Sequence, residues 1–466
     1  MKKQVYNPYL PLWEYIPDGE PRVFDNRLYI YGSHDKFAGK WYCENDYVTW
    51  SAPLDDLSDW RYEGVIFRKS QDAKRSGNLY APDVIQGMDG KYYLYYSKDD
   101  SSVIGVAVSN SPAGPFEYMG EVSYADGRVV GDDENEFFMF DPSVLIDDGK
   151  IWLYSGSAKR KITSGIKRNM VGCTVMELQP DMKTVKSAPR VILPNTKGLL
   201  TEGYFEGPSA RKIGNLYYVI YPVKNASGLH YATSIYPDRD FVHRGAIHST
   251  SDIGINGHSI TNPAYPTGNS HGGLVEINGK WFIFDHRNTN GTGYSRQGVA
   301  EPVEISKDGT IIQVESTSCG LNGGPLRDEG IYPASIACNL WGSKTFGMRV
   351  PMNCPMVTQS GVDDDKDAEF YITRISNKSV VGYKYFYFRG GSYRLKLTIR
   401  GGAGSIQILT DRDGKKYLGE ARIMASECWC EVPIEVGIPE GVHEIYISYL
   451  GKKSVDLKEF EILKLN

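Results

Sequence analysis

Four segments of this 466-residue chain hold an ionisable side chain eight residues before a turn residue and an aromatic strand. They are Asp18 before Asn26, Asp141 before Gly149, Glu206 before Gly214 and His271 before Gly279. In a fifth segment Pro82 stands eight residues before Gly90, and Asp83 follows it. A structural repeat has no packing reason to place carboxyls there, because a buried carboxyl is costly unless paired or solvated. Three carboxyls and a histidine at equivalent radii of one ring can share a funnel and divide acid–base labour. One carboxylic acid can protonate a leaving glycosidic oxygen, and one carboxylate can take a proton from water. A third can favour the protonated acid by like-charge repulsion and orient it. His271 suits a metal, a sugar hydroxyl or the satisfied interior of a core.

The elements that must position these groups repeat with them. The segments 26–33, 90–97, 149–156, 214–221 and 279–286 each start with Asn or Gly and continue in Tyr, Ile, Leu, Phe or Trp. Asn and Gly are the residues best able to take a positive φ in a hairpin turn, and the apolar run reads as a buried strand. Successive segments start 64, 59, 65 and 65 residues apart. A period near 62 fits four strands plus loops, with no helical periodicity between them. The expectation is an all-β chain: a five-bladed β-propeller over residues 1–325, then a jelly-roll-like β-sandwich over 335–466. In the second region strand-like runs are expected at 380–388, 393–400, 405–410, 431–436 and 444–449. The stretch 318–325 reads as a linker, and 298–303 as a segment that closes the ring.

Composition narrows the field. Lys and Arg number 52 against 57 Asp and Glu, a net charge of −5, which argues against a nucleic-acid partner. Tyr at 33 outnumbers Phe at 16 and Trp at 8 together, which suits strands and sugar-facing surfaces. No stretch approaches 18 apolar residues, so no membrane span is expected. No apolar run follows the lysines at 2 and 3, and the seven cysteines are scattered without a C-x-x-C. The expected setting is reduced and cytoplasmic. Cys428 and Cys430, on one face of a strand, read as buried core thiols before a metal pair.

The segments 17–24, 80–84, 140–143, 205–209 and 269–273 together resemble glycoside hydrolase family 43. The resemblance covers roughly residues 5–320 and implies inverting cleavage of arabinose- or xylose-containing oligosaccharides. It implies Asp18 as general base, Glu206 as general acid, and Asp141 as the residue that tunes and orients Glu206. It also implies that His271 helps to bind a calcium ion or an ordered-water network at the axis; no organic cofactor is expected. Because the first motif reads Asp18-Gly19-Glu20-Pro21, Glu20 stands as an alternative base. Inversion predicts acid and base carboxyls roughly 6.5–9.5 Å apart. A non-catalytic glycan-binding propeller is the alternative from a different class. Nothing in the sequence speaks to oligomeric state.

Further candidates for substrate contact are Asp83, His34, Tyr80, Phe205 and Arg296, with Trp41 as an apolar wall. Gly268-Asn269-Ser270-His271-Gly272 matches a serine-hydrolase elbow but lacks the following helix. The acidic run 363–367 lacks EF-hand spacing and reads as a solvated loop. The C-terminal region resembles a family 6 carbohydrate-binding module at 390–393, 404–408 and 441–447, with Trp429 and Tyr383 as its only plausible sugar platforms.

Overall fold

All five leading turn residues take a positive φ: Asn26 at 61°, Gly90 at 83°, Gly149 at 69°, Gly214 at 58° and Gly279 at 78°. Asp25, Asp148 and Asn278, just before three of them, also have positive φ. In these three turns two consecutive left-handed residues match the twist of a two-residue hairpin, and all five turns fold the aromatic strand back on the strand before it. The computed structural model describes residues 3–133, 135–157, 170–198, 203–223, 228–342, 354–411 and 416–465.

Five antiparallel sheets follow one another at 20–67, 79–121, 143–194, 209–248 and 274–303. Among the described residues the first four have four strands and the fifth has three, each in sequence order. The first strands of the blades (Glu20–Phe24, Leu79–Gln86, Ser143–Asp147, Ser209–Ile213 and Leu274–Ile277) abut around a central axis. This is a five-bladed propeller. Its tyrosines explain themselves in the gaps between blades. Tyr31, Tyr95 and Tyr154 bury their rings there and donate their hydroxyls to the carbonyls of Pro112, Met182 and Pro237 on outer loops. A ring with a polar tip can cross an apolar gap and still satisfy its hydroxyl.

The segment Arg296–Val303 is the third strand of the fifth blade, and a side chain completes the closure. The Asn7 amide donates to the Ala300 carbonyl and accepts the Ala300 N–H, imitating a strand partner. The stretch 318–325 is no loose linker: Ser318, Cys319 and Leu321 are buried, and Ser318 bonds to Asn7 on one side and Lys384 on the other.

The axis below the blade tops is filled by two arginines. Arg22 donates to both oxygens of Asp83, at 3.0 and 2.6 Å, and to the Val144 carbonyl. Arg211 pairs with Glu20 at 2.5 Å and donates to the carbonyls of Pro21 and Leu274. Together they touch all five blades. Each charge is buried beside its opposite, the condition under which buried ions are tolerated.

Leu326–Arg327 and Gly330–Pro333 already pair with the C-terminal sheet, whose strands form a β-sandwich. The runs expected at 380–388 and 393–400 are one bent strand, Val380–Gly401, and those at 431–436 and 444–449 belong to another, Ser426–Gly451. Positive φ at Gly390, Gly391 and Gly441 lets these ribbons bend without breaking. Cys428 and Cys430 do share a face, but it is the outer one, and both are exposed. All seven cysteines are free thiols. No helix among the described residues is long and apolar enough to cross a membrane.

Candidate active site

Asp18 and Asp141 lie two residues before the inner strands of blades one and three, and Glu206 and His271 lie three before those of blades four and five. The repeat thus brings all four to the same end of the axis. Buried neighbours connect them. The pKa of the Tyr47 phenol is raised by burial first, with Asp141 and Asp18 adding their charges. Burial also raises that of Tyr204, with Asp141 and Glu206 contributing. Tyr42 in turn feels both Glu206 and Asp35. Gly207, at φ 59°, lets the main chain beside Glu206 lie flat on the His271 ring. A Cβ there would sit 2.9 Å from the ring. His271 Nδ1 is 4.0 Å from Asp18 Oδ1.

Asp18 is the best defined of the set. Its backbone is left-handed, at φ 57°, and Asp141 matches it at 48°. Such strain in non-glycine residues gathers at functional sites. The Asp18 N–H donates to His286 Nδ1 at 3.1 Å. Burial lowers the His286 pKa, so the ring is neutral and Nδ1 is an acceptor. The 3.3 Å from that nitrogen to Asp18 Oδ1 is therefore proximity and not an ion pair. The charge partner is Arg296, whose Nη1 donates to Asp18 Oδ1 at 3.0 Å. Burial alone would raise the Asp18 pKa. Arg296 outweighs it first, with His286 and His271 adding charge only at pH low enough to protonate them, and the carboxyl is held at about 2. Arg296 is itself clamped by Asp35. Its main-chain N–H and Nε donate to Oδ2 at 3.0 and 2.8 Å, and its Nη2 donates to Oδ1 at 2.9 Å.

An aromatic collar borders the cluster. The Arg296 guanidinium lies 5.0 Å from the Tyr42 ring, Tyr42 meets Tyr294 edge-on at 4.7 Å, and Trp41 stacks on Tyr294 at 6.2 Å. Trp41 is 47% exposed and donates its indole N–H to Asp99. Tyr80 and Phe140 continue the collar, with ring centroids 5.6 Å apart. Phe205 is half-buried beside Glu206.

Two expected substrate contacts and one alternative lie elsewhere. Asp83 is fully buried in the axial ion cluster, where both oxygens serve Arg22 and one also takes the Val144 N–H. It falls inside its strand and not before it, one step further down the axis. Glu20 is in the same cluster with Arg211, which removes it as a free base. His34 pairs with Glu14 at 3.0 Å and the Asp46 carbonyl at 2.8 Å. Burial lowers its pKa, but Glu14 and Asp46 outweigh that and lift it to about 9, so it is a structural cation. Sequence reasoning missed Tyr42, Tyr294 and the clamp by Asp35, which lie on irregular loops without a repeat to flag them. In the sandwich, Tyr383 is fully buried, and Trp429 is covered by the Arg400 guanidinium at 4.2 Å.

The surroundings of His271 do not fit a calcium cage of protein oxygens. Asp18 Oδ1 already serves Arg296, and no group of three or more His, Cys, Asp or Glu that could hold a metal occurs among the described residues. Calcium takes six to eight oxygens.

A propeller whose blade tops gather three carboxyls, a clamped arginine and an aromatic collar is suited to carbohydrate cleavage. The chain belongs to the glycosyl hydrolases of family 43, which match it over residues 17–311, and it is a glycosidase. It is 44% identical to a xylosidase/arabinosidase of Thermoclostridium stercorarium, over 99% of each chain. It is 24% identical to an arabinoxylan arabinofuranohydrolase of Paenibacillus polymyxa, over 96% of this chain and 72% of that one. Among solved structures, it resembles a β-xylosidase/α-arabinofuranosidase from a compost microbial metagenome in complex with xylotriose, in a calcium-free form. The TM-score is 0.53 at 26% identity, over 67% of this chain and 98% of that one.

Proposed function

We propose that the protein is an inverting, exo-acting glycosidase that releases xylose or arabinose from short arabino- or xylo-oligosaccharides. The observation that carries the mechanism is the buried Asp18 carboxylate, held ionised by Arg296 at the same blade tops as Asp141 and Glu206. Asp18 takes a proton from water as the water oxygen bonds to the anomeric carbon. Glu206 gives its proton to the glycosidic oxygen as the bond from that oxygen to the anomeric carbon breaks. The sugar leaves with inverted configuration, and proton exchange with solvent resets both groups. Asp141 keeps Glu206 protonated and oriented between turnovers by like-charge repulsion. The collar from Trp41 to Phe140 offers apolar faces to the sugar rings. The xylosidase/arabinosidase of T. stercorarium supports the choice of sugar.

The test uses aryl β-D-xyloside and aryl α-L-arabinofuranoside with the parent, Asp18→Asn and Glu206→Gln. Both variants are expected to lose about 10²–10⁴-fold in kcat. Proton NMR of the first product formed should show the inverted anomer. Retained turnover in Asp18→Asn, or a retained anomer, would sink this mechanism.

A further inference from the structure

The acidic run 363–367 belongs to the sandwich but reaches the propeller. We propose that Asp363 is a positioning residue of the glycosidase site, closing the 33–46 loop that holds Asp35 against Arg296. This rests on the mechanism proposed above.

The contacts run in one line. Asp363 Oδ1 accepts the Phe37 N–H at 2.6 Å, and Oδ2 accepts from Asn45 Nδ2 at 3.0 Å. The two donors sit at opposite ends of the loop tip that carries Trp41, Tyr42 and Cys43, so one carboxylate ties the loop shut. Asn45 Nδ2 also donates to the Asp35 carbonyl at 3.0 Å, and Asp35 Oδ1 accepts the Cys43 N–H at 3.1 Å. Asp35 then grips Arg296, and Arg296 grips Asp18. The acidic loop itself is braced. Ser360 N–H bonds to the Glu369 carbonyl, Ala368 N–H to that of Asp365, and Gln359 Nε2 to that of Val362. Neighbouring contacts hold the same seam: Tyr15 donates its hydroxyl to Gln359 and stacks on Phe37, and Lys366 lies 5.4 Å from the Trp13 ring. Across the seam the Asn290 N–H donates to the Val357 carbonyl, which steadies the 289–295 loop that carries Tyr294. A rigid carboxylate from a second domain thus sets the walls of a pocket it does not enter. Small displacements of such walls cost rate far from the chemistry.

The experiment is a double-mutant cycle on the full-length chain, with kcat/KM on the better aryl glycoside. Asp363→Ala is expected to lower kcat/KM about tenfold, with melting temperature within a few degrees of the parent. Asp35→Asn is expected to lower it more. If Asp363 acts through Asp35, the double variant is no slower than Asp35→Asn by more than about twofold, because the second change removes nothing further. Asp363→Asn keeps the Phe37 bond and is expected to lie between parent and Asp363→Ala. It also serves if the alanine variant does not fold. Losses that multiply in the double variant, or an Asp363→Ala variant (Asp363→Asn where the alanine variant does not fold) within about twofold of the parent, would overturn the proposal. Asp18→Asn in the same series separates the two levels. If it stays active, the base assignment fails whatever Asp363 does; if it is dead while the cycle is additive, only the positioning role fails.

Discussion

Arg296 holds two carboxylates at once, and its loss should be read in pH. The folded-state pKa of Asp18 lies below its ordinary value of 3.8, at about 2, so its ionisation contributes stability above pH 3.8 that disappears as the pH falls through 2. In the parent, Asp18 therefore sets no acid limb on kcat/KM between pH 4 and 6. Arg296→Met removes the main opponent of burial, and burial raises a carboxyl's pKa. The acid limb of that variant is expected to move up into the pH 4–6 range, seen as a falling kcat/KM where the parent is flat. An unmoved limb would mean that Arg296 does not hold the charge on Asp18. Asp18, Asp141, Glu206 and His271 were legible in the sequence because a repeat shows the same offset several times. The pairing of Asp35 with Arg296 was not, because 261 positions separate them and no spacing rule links them.

At the scale of elements, the turns decide where the chemistry lands. Gly149, at φ 69°, has open space around its missing Cβ, whereas the missing Cβ of Gly207 faces the His271 ring. Alanine at either position costs about 1–2 kcal/mol for the left-handed backbone. Only Gly207→Ala also pushes a side chain of the site. It is expected to lower kcat/KM about tenfold while Gly149→Ala keeps it, with similar drops in melting temperature for both. Equal activities would show that the His271 ring can give way freely. The five hairpins were readable because Gly and Asn are the residues that most readily take the positive φ found at each leading turn position. The two long sandwich ribbons were not, because the glycines that let them bend look like turn signals in sequence.

At the scale of the whole molecule, charges cross between propeller and sandwich. Lys384 Nζ reaches Asp252 at 3.0 Å and Glu315 at 2.8 Å, and Arg287 of the fifth blade donates to the Ala337 and Ser335 carbonyls. Separating the two bodies would strand these groups, which is costly. A calorimetric scan is expected to show one unfolding transition, and two resolved transitions would refute the coupling. The linker reading at 318–325 missed this, because small and polar residues that look loose in sequence are here packed between both bodies. The arginine pair on the axis has a further consequence. By reaching all five blades it closes the axis beneath the site, so a sugar is expected to arrive and leave on the same side. A polymer cannot be threaded and trimmed in successive steps without letting go. A freed monosaccharide is then expected to stay at the closed side until the shortened chain has departed. Accumulating sugar is therefore expected to slow the enzyme competitively, which initial-rate measurements with added xylose or arabinose would reveal.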